Sequence, residues 1–353
     1  MHIKEALKRL KKTDRLTLVG LLIVLALSVM VTLVLPKFVY RSFLREVDVS
    51  QQQTLALYRH PLTGVALYEP VPELPQVFSV MIDNHEDAWP LSGVDQAFLV
   101  IEAPVEAAIP RLLAFFTAEQ SVDEIGPVRS ARPYFLDWVS ELDALYAHVG
   151  GSNAALDLIA SGGTFDLNQY WWGEYFWRSW DRYSPHNVFT STELMSAFVA
   201  LRIQAGVAPE RLYDVWAFKD PEPSQTESSV HIDFDGTIYT ADWNYDLQRG
   251  VYLRSQSGAP HLTSAGVQIT ADNVVIVVTD IEVLDAVGRR SVRTAGEGSA
   301  LVYQDGRAIE AVWRKPSASE RLKFYERDSG EEIVMNAGVT WIEVVGSEEA
   351  IQL

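Results

Sequence analysis

The sequence predicts an α/β (or α+β) N-terminal ectodomain followed by a mainly β C-terminal domain, preceded by one transmembrane helix. Three observations carry that reading. An uncharged run of twenty residues lies near the N-terminus. Between residues 76 and 206, short apolar runs alternate with capped helical segments. From 229 to 346, strand-like runs recur between turn signals. A chain of 353 residues, 48% hydrophobic, is long enough for two domains with cores and too apolar to be disordered.

The first element is the run Leu16 to Leu35, which carries no charge. Twenty helical residues span about 30 Å, the thickness of a hydrocarbon core. Lys4, Lys8, Arg9, Lys11, Lys12 and Arg15 precede it and hold residues 1–15 in the cytoplasm by the positive-inside rule. The expected topology is therefore a single-pass signal anchor, residues 16–35, in the cytoplasmic membrane, with the bulk of the chain extracytoplasmic. A cleaved signal peptide is the competing reading. The charge follows this division. Residues 1–45 hold nine Lys/Arg and two Asp/Glu, while the rest hold 20 and 45, so that the net −18 combines +7 with −25. An acidic exterior excludes general nucleic-acid binding. The absence of Cys excludes disulfides, thiolate metal sites, a Cys nucleophile and lipid attachment through Cys.

Residues 36–75, with Pro61, Pro70, Pro72 and Pro75, read as a stalk. In the N-terminal domain, 76–206, Val77–Ile82, Ala97–Ile101, Leu112–Phe116 and Ala144–Val149 are strand-like. Pro133 suits a first helical position. Ser152 is placed to cap a helix Asn153–Ala160, and Thr190-x-x-Glu193 forms a capping box for another. Residues 207–228 are polar and Pro-rich, a linker. The C-terminal domain, 229–346, offers strands at 230–234, 251–254, 274–279, 300–303, 309–313 and 340–345. Turns are expected at Asp235-Gly236, Asp305-Gly306 and Ser329-Gly330.

The residues that bear chemistry fall in short groups. Asp83-Asn84-His85 follows a strand, where polar residues often line a site, although an Asx-type turn explains it equally. Glu102, Glu106 and Arg111 flank a break between two apolar runs, as paired carboxylates for acid–base work or an internal ion pair with Arg111. Arg129, Ser130 and Arg132 stand just before the helix at Pro133. Guanidinium forks beside free N–H groups favour an anion. His148, Gly150, Gly151 and Ser152 form a strand–turn–helix corner with the same tendency, and Ser152 with His148 is a conceivable nucleophile pair. Ser184-Pro185-His186-Asn187 adds a histidine and an amide. The histidines at 85, 148, 186 and 261 show no short metal-ligand spacing, and neither a metal nor another cofactor is expected. Tyr170 to Tyr183 holds four of the ten Trp, suited to a folded-down loop or to sugar or lipid contact.

These motifs assemble into an order that resembles the YerB-like family of bacterial envelope proteins. The resemblance runs through Pro61–Gly64, Val80–Asn84, Val105-Glu106 with Arg111, Gly126–Arg132, His148–Ser152, Pro185–Asn187 and Thr190–Glu193. It continues through Tyr252–Arg254, Pro260-His261, Asn273-Val274, Trp313-x-Lys315, Phe324-Tyr325 and Asn336-x-Gly338-x-Thr340-Trp341-Ile342. It covers roughly residues 60–346 and adds Arg254 and His261 as C-terminal candidates. It implies two domains of unassigned activity on the outer face of the cytoplasmic membrane. Three departures stand out. The lipobox Cys is missing, the family's Gly-Gly after Val-Glu is Ala107-Ala108 (with Pro110 before Arg111), and the 170–183 run is unusually aromatic.

The expected function is an anchored envelope protein that binds an anionic glycan or phosphate-bearing polymer, or acts as a scaffold. The ligand-binding candidates are Arg111, Arg129, Ser130, Arg132, Gly150, Gly151, Ser152 and Asn187. The alternatives are a hydrolase or transferase working on envelope polymers through Asp83, Glu106, His148 or His186, and a protein-interaction platform.

Overall fold

The computed structural model describes residues 58–222, 224–234 and 238–353. The basic segment 1–15, the expected span 16–35, most of the stalk and the turn Asp235-Gly236 lie outside the described residues. Among those described, no helix is long and apolar enough to cross a membrane.

Ten strands form one mixed sheet. In chain order its strands are β1 (Val77–Ile82), β2 (Leu99–Pro104), β3 (Pro110–Thr117), β4 (Leu145–His148) and β5 (Phe165–Asn168). Three strands interposed in the sequence, β6 (Ser229–Asp233), β7 (Thr240–Asp246) and β8 (Val251–Gln256), belong to a second sheet. The large sheet is completed by β9 (Asn273–Val278), β10 (Gly296–Gln304), β11 (Arg307–Lys315), β12 (Lys323–Glu326) and β13 (Thr340–Val345). Its order is β12-β11-β10-β9-β13-β2-β3-β1-β4-β5. The N-terminal and C-terminal segments therefore share one sheet, because β13 pairs in parallel with β2, Thr340 opposite Leu99 and Glu343 opposite Glu102. The large sheet therefore runs across the boundary that the sequence reading places between the α/β segment, 76–206, and the mainly β segment, 229–346. Apolar runs reveal that a strand is buried but not which strand lies beside it.

Burial explains the two kinds of strand pattern. All residues of β1, β2, β3, β4 and β13 are buried, because both sheet faces are covered, and such strands read as unbroken apolar runs. In β7 and β8, buried and less buried residues alternate, as expected of a sheet packed on one face. Helices α1 (Pro133–Ser140) and α2 (Asn153–Ala160) join Met81, Leu99, Phe115 and Ile342 in one core cluster through Phe135, Trp138 and Ala155. The second sheet joins the other cluster through Val230, Ile232, Trp243 and Tyr252, together with Met195 and Phe198 of α3 (Thr192–Gln204). Fully buried Phe78, Phe115, Phe116 and Phe135 each contribute about 1.5–3 kcal/mol relative to exposure.

Two local readings change. The N-cap of α3 is Ser191, whose side chain accepts the Leu194 N–H at 3.2 Å, rather than Thr190. Thr190 is held in backbone pairing with Ile125, so the chain leaves the extended state one residue later. The described residues of the Pro-rich 207–228 segment also do not run free. Trp216 is buried with its Nε1 on Leu322 O, and Phe218–Lys219 pairs in parallel with Met335–Asn336.

Candidate functional site

The loop 126–132 runs between the carboxyl ends of the parallel strands β1 and β4, a position where α/β sheets present polar groups. Arg129 N–H donates to Met81 O at 2.7 Å, and Asp83 N–H donates to Pro127 O at 2.8 Å. On the other side, Val149 N–H donates to Arg129 O, Ala131 N–H to Gly150 O, and Ser152 N–H to Ala131 O. The sequence groups around Asp83, Arg129–Arg132 and His148–Ser152 are thus laced together by backbone. Gly150 sits at the corner with φ +58°, and a Cβ there would meet the Tyr170 ring at 2.7 Å, so the corner requires glycine.

Three guanidiniums converge on this loop. Arg132 grips Glu106, with Nε 2.8 Å from Oε1 and Nη2 2.6 Å from Oε2. Arg129 Nε lies 2.9 Å from Asp83 Oδ2, a charge contact without the alignment of a hydrogen bond. Arg111, on β3 and buried, donates through Nη1 to Ser130 O at 2.7 Å. No carboxylate lies within ion-pair distance of Arg111 among the described residues. Its pKa is pushed down to about 10, first by burial and then by the charge of Arg132, with Asp83 opposing and Arg129 reinforcing. The buried hydroxyl of Tyr146 has no hydrogen-bond partner among the described residues. Burial raises its pKa against the opposing charges of Arg111 and Arg132.

Asp83 also joins the segment around Pro185. His186 Nδ1 lies 2.7 Å from Asp83 Oδ2, and the His85 and His186 rings stack with centroids 5.1 Å apart. Their neighbourhood opens into a cavity of about 640 Å³ lined by Asp87, Trp89, Asp181, Arg182, Tyr183 and His186. The aromatic segment forms its outer wall. Arg182 ties it to Ala88 O and Pro90 O, and the Asn187 amide accepts Arg178 Nη1 at 2.8 Å. Asn187 therefore shapes the loop. Trp180 is 99% exposed and Tyr183 92%.

Three other candidates have structural roles. Both nitrogens of the buried His148 are engaged, Nδ1 with Gly150 O at 2.7 Å and Nε2 with Asp166 at 2.6 Å, which leaves none for a substrate. Ser152 Oγ caps α2 by accepting Ala155 N–H. Gly151 packs against Ala131.

Comparison with known proteins decides the family. Residues 62–204 match the N-terminal domain, and 230–342 the C-terminal domain, of the family described as "Protein of unknown function (DUF3048)". The chain belongs to the DUF3048 family. It is 30% identical over 301 residues to the Bacillus subtilis strain 168 protein named "Putative lipoprotein YerB", covering 83% of this chain and 88% of that one. The crystal structure of the YerB protein from Bacillus subtilis matches with a TM-score of 0.73 at 28% identity, over 84% of this chain and 99% of that chain.

In this DUF3048 chain the second segment supports the site from behind. Asn84 Nδ2 donates to Glu102 Oε1, while its Oδ1 accepts Trp89 Nε1 at 2.8 Å and Gln256 Nε2 at 3.0 Å. Arg254 Nη2 pairs with Glu102 Oε2 at 2.8 Å, its Nη1 contacts His261 Nδ1, and its guanidinium lies over the Trp341 ring at 5.0 Å. Arg254 and His261 are buried and act on one another. Spacing along the chain carries no sign that Asn84, Glu102 and Gln256 meet. Asp87 was also missed, because only folding brings it to His186.

Proposed function

We propose that this protein is an extracytoplasmic component of the cell envelope, anchored at the cytoplasmic membrane through residues 16–35. It binds an anionic group, a carboxylate or phosphate of an envelope glycan or polymer, at Arg111, Arg129 and Arg132. The lipoprotein name of the YerB relative and the basic-then-apolar N-terminus support the location. The observation that carries the ligand class is Arg111, a guanidinium that donates only to a carbonyl and whose pKa is lowered first by burial and then by the charge of Arg132. A bound anion would supply the missing countercharge and accept forked hydrogen bonds.

Isothermal titration with peptidoglycan fragments and teichoic-type phosphates tests this reading. The wild-type chain is expected to bind one of these classes, and the Arg129→Ala/Arg132→Ala pair to lose most of the affinity. Absence of binding to both classes, or equal binding by the variant, overturns it.

A second reading, acid–base chemistry on the same polymers, is favoured by the 2.7 Å Asp83–His186 contact beside an open cavity. It predicts turnover of a bound polymer that His186→Gln abolishes while binding persists.

A further inference from the structure

We infer that His85, Asp87 and His186 form a binding site for a divalent transition-metal ion of the Zn²⁺ class. One nitrogen or oxygen from each lies within 4.8 Å of the others. Tetrahedral ligands about 2.0–2.2 Å from Zn²⁺ stand roughly 3.4 Å apart, so closure on an ion needs a shift of only about 1 Å. Two imidazoles and a carboxylate are the donor set that such ions take, with a fourth position left open to the cavity.

Two features mark this as a prepared site. The first is the Asp83 carboxylate, which accepts the Nδ1–H of His186 at 2.7 Å. That contact fixes the tautomer and leaves the Nε2 lone pair available, the carboxylate–histidine arrangement that orients metal-ligating imidazoles. The second is His85. Its ring stacks on His186 with centroids 5.1 Å apart and its Nδ1 lies 3.5 Å from Asp87 Oδ2; that nitrogen accepts the Asp87 backbone N–H at 3.1 Å, so an ion ligated there takes the lone pair in exchange for one backbone hydrogen bond. The surroundings suit a cation. The cavity also carries Asp181, while Arg182, its one guanidinium, is committed to Ala88 O and Pro90 O. Through Asp83, which also contacts Arg129, the metal would stand beside the Arg cluster. The site itself stands on its own geometry and does not depend on the anion reading.

The test is titration of the full-length, untagged chain, freed of metal by a chelator, with Co²⁺ followed by Zn²⁺. The expected result is one Co²⁺ per chain, with the visible absorption bands of a low-coordinate site, displaced by Zn²⁺. His85→Ala, His186→Ala and Asp87→Asn are each expected to abolish the bands. Asp83→Asn, a positioning change, is expected to weaken binding about 10–100-fold. Asp87 is exposed, with its side chain 71% accessible, so Asp87→Asn tests the site without disturbing the core. No bands in the wild-type chain, or bands retained by folded Asp87→Asn, overturn the proposal. Undiminished binding by Asp83→Asn overturns the positioning role.

Discussion

Asp83 Oδ2 lies 2.7 Å from Nδ1 of His186, a residue 103 positions further along the chain, and the same oxygen lies 2.9 Å from Arg129 Nε. One buried carboxylate thus fixes both the histidine of the cavity and the nearest guanidinium of the Arg cluster. Asp83→Asn preserves shape and removes the charge. It is expected to cost about 1–3 kcal/mol, the range for a buried group deprived of its partner. Urea denaturation measures the loss. The imidazole ¹⁵N shifts of His186 should show its tautomer no longer fixed, and unchanged shifts would contradict the arrangement.

Glu106 predicts an acid limb of stability. Burial, its largest single influence, pushes the carboxyl upward, but the hydrogen bond and charge of Arg132, its own backbone N–H and the charge of Arg111 together bring it below the ordinary value of 4.5. A depressed carboxylate contributes stability that is present above the unfolded pKa and lost as pH falls through the folded one. Glu106→Gln should therefore be less stable near neutrality by about 1–3 kcal/mol and converge on the wild type as pH falls through the depressed value of the folded carboxyl. Thermal melts across that range check it.

Glu343 predicts the opposite sign. Burial first, and then the charge of Glu102, raise its carboxyl well above 4.5 against the pull of Arg254. The folded state keeps a proton that the unfolded chain releases, so this group removes stability as pH rises past the unfolded value. Glu343→Gln retains an acceptor for Trp243 Nε1, which lies 2.8 Å from Oε1. It should flatten the fall in stability that begins as pH rises past the ordinary carboxylate value and raise stability at the alkaline end. A variant less stable than wild type at that end would refute this account.

Ala107 and Ala108 sit at φ 57° and 54°, the left-handed region. Each costs about 1–2 kcal/mol there for a residue with a Cβ. These are the two positions where the family resemblance implies Gly-Gly. Ala107→Gly and Ala108→Gly should each stabilise the fold, by at most about 1 kcal/mol after the greater unfolded-state entropy of glycine is subtracted. Chemical denaturation of the two single variants decides it.

Much of the fold was legible. Val77–Ile82 and Thr340–Val345 could be read as strands because burial on both faces selects unbroken apolar residues. Asn153–Ala160 could be read as a helix because Ser152 caps it locally. The capping box at Thr190 was misplaced by one residue, because the competing pairing with Ile125 is 65 positions away in sequence and leaves no local mark.

The sequence by itself determined the strand runs, the helix start at Pro133, the acidic composition of residues 46–353 and the grouping of Arg129 with Arg132, all set by composition and nearest-neighbour chemistry. Only the tertiary structure decided that β2 and β13 would join both segments in one sheet. It alone closed His148 between Gly150 and Asp166, buried Arg254 against Glu102, and set His85 and Asp87 beside His186. The physical reason is the same in each case. A side chain's chemistry depends on which groups desolvate and pair with it, and those groups come from strands and loops whose proximity is set by packing rather than by spacing along the chain.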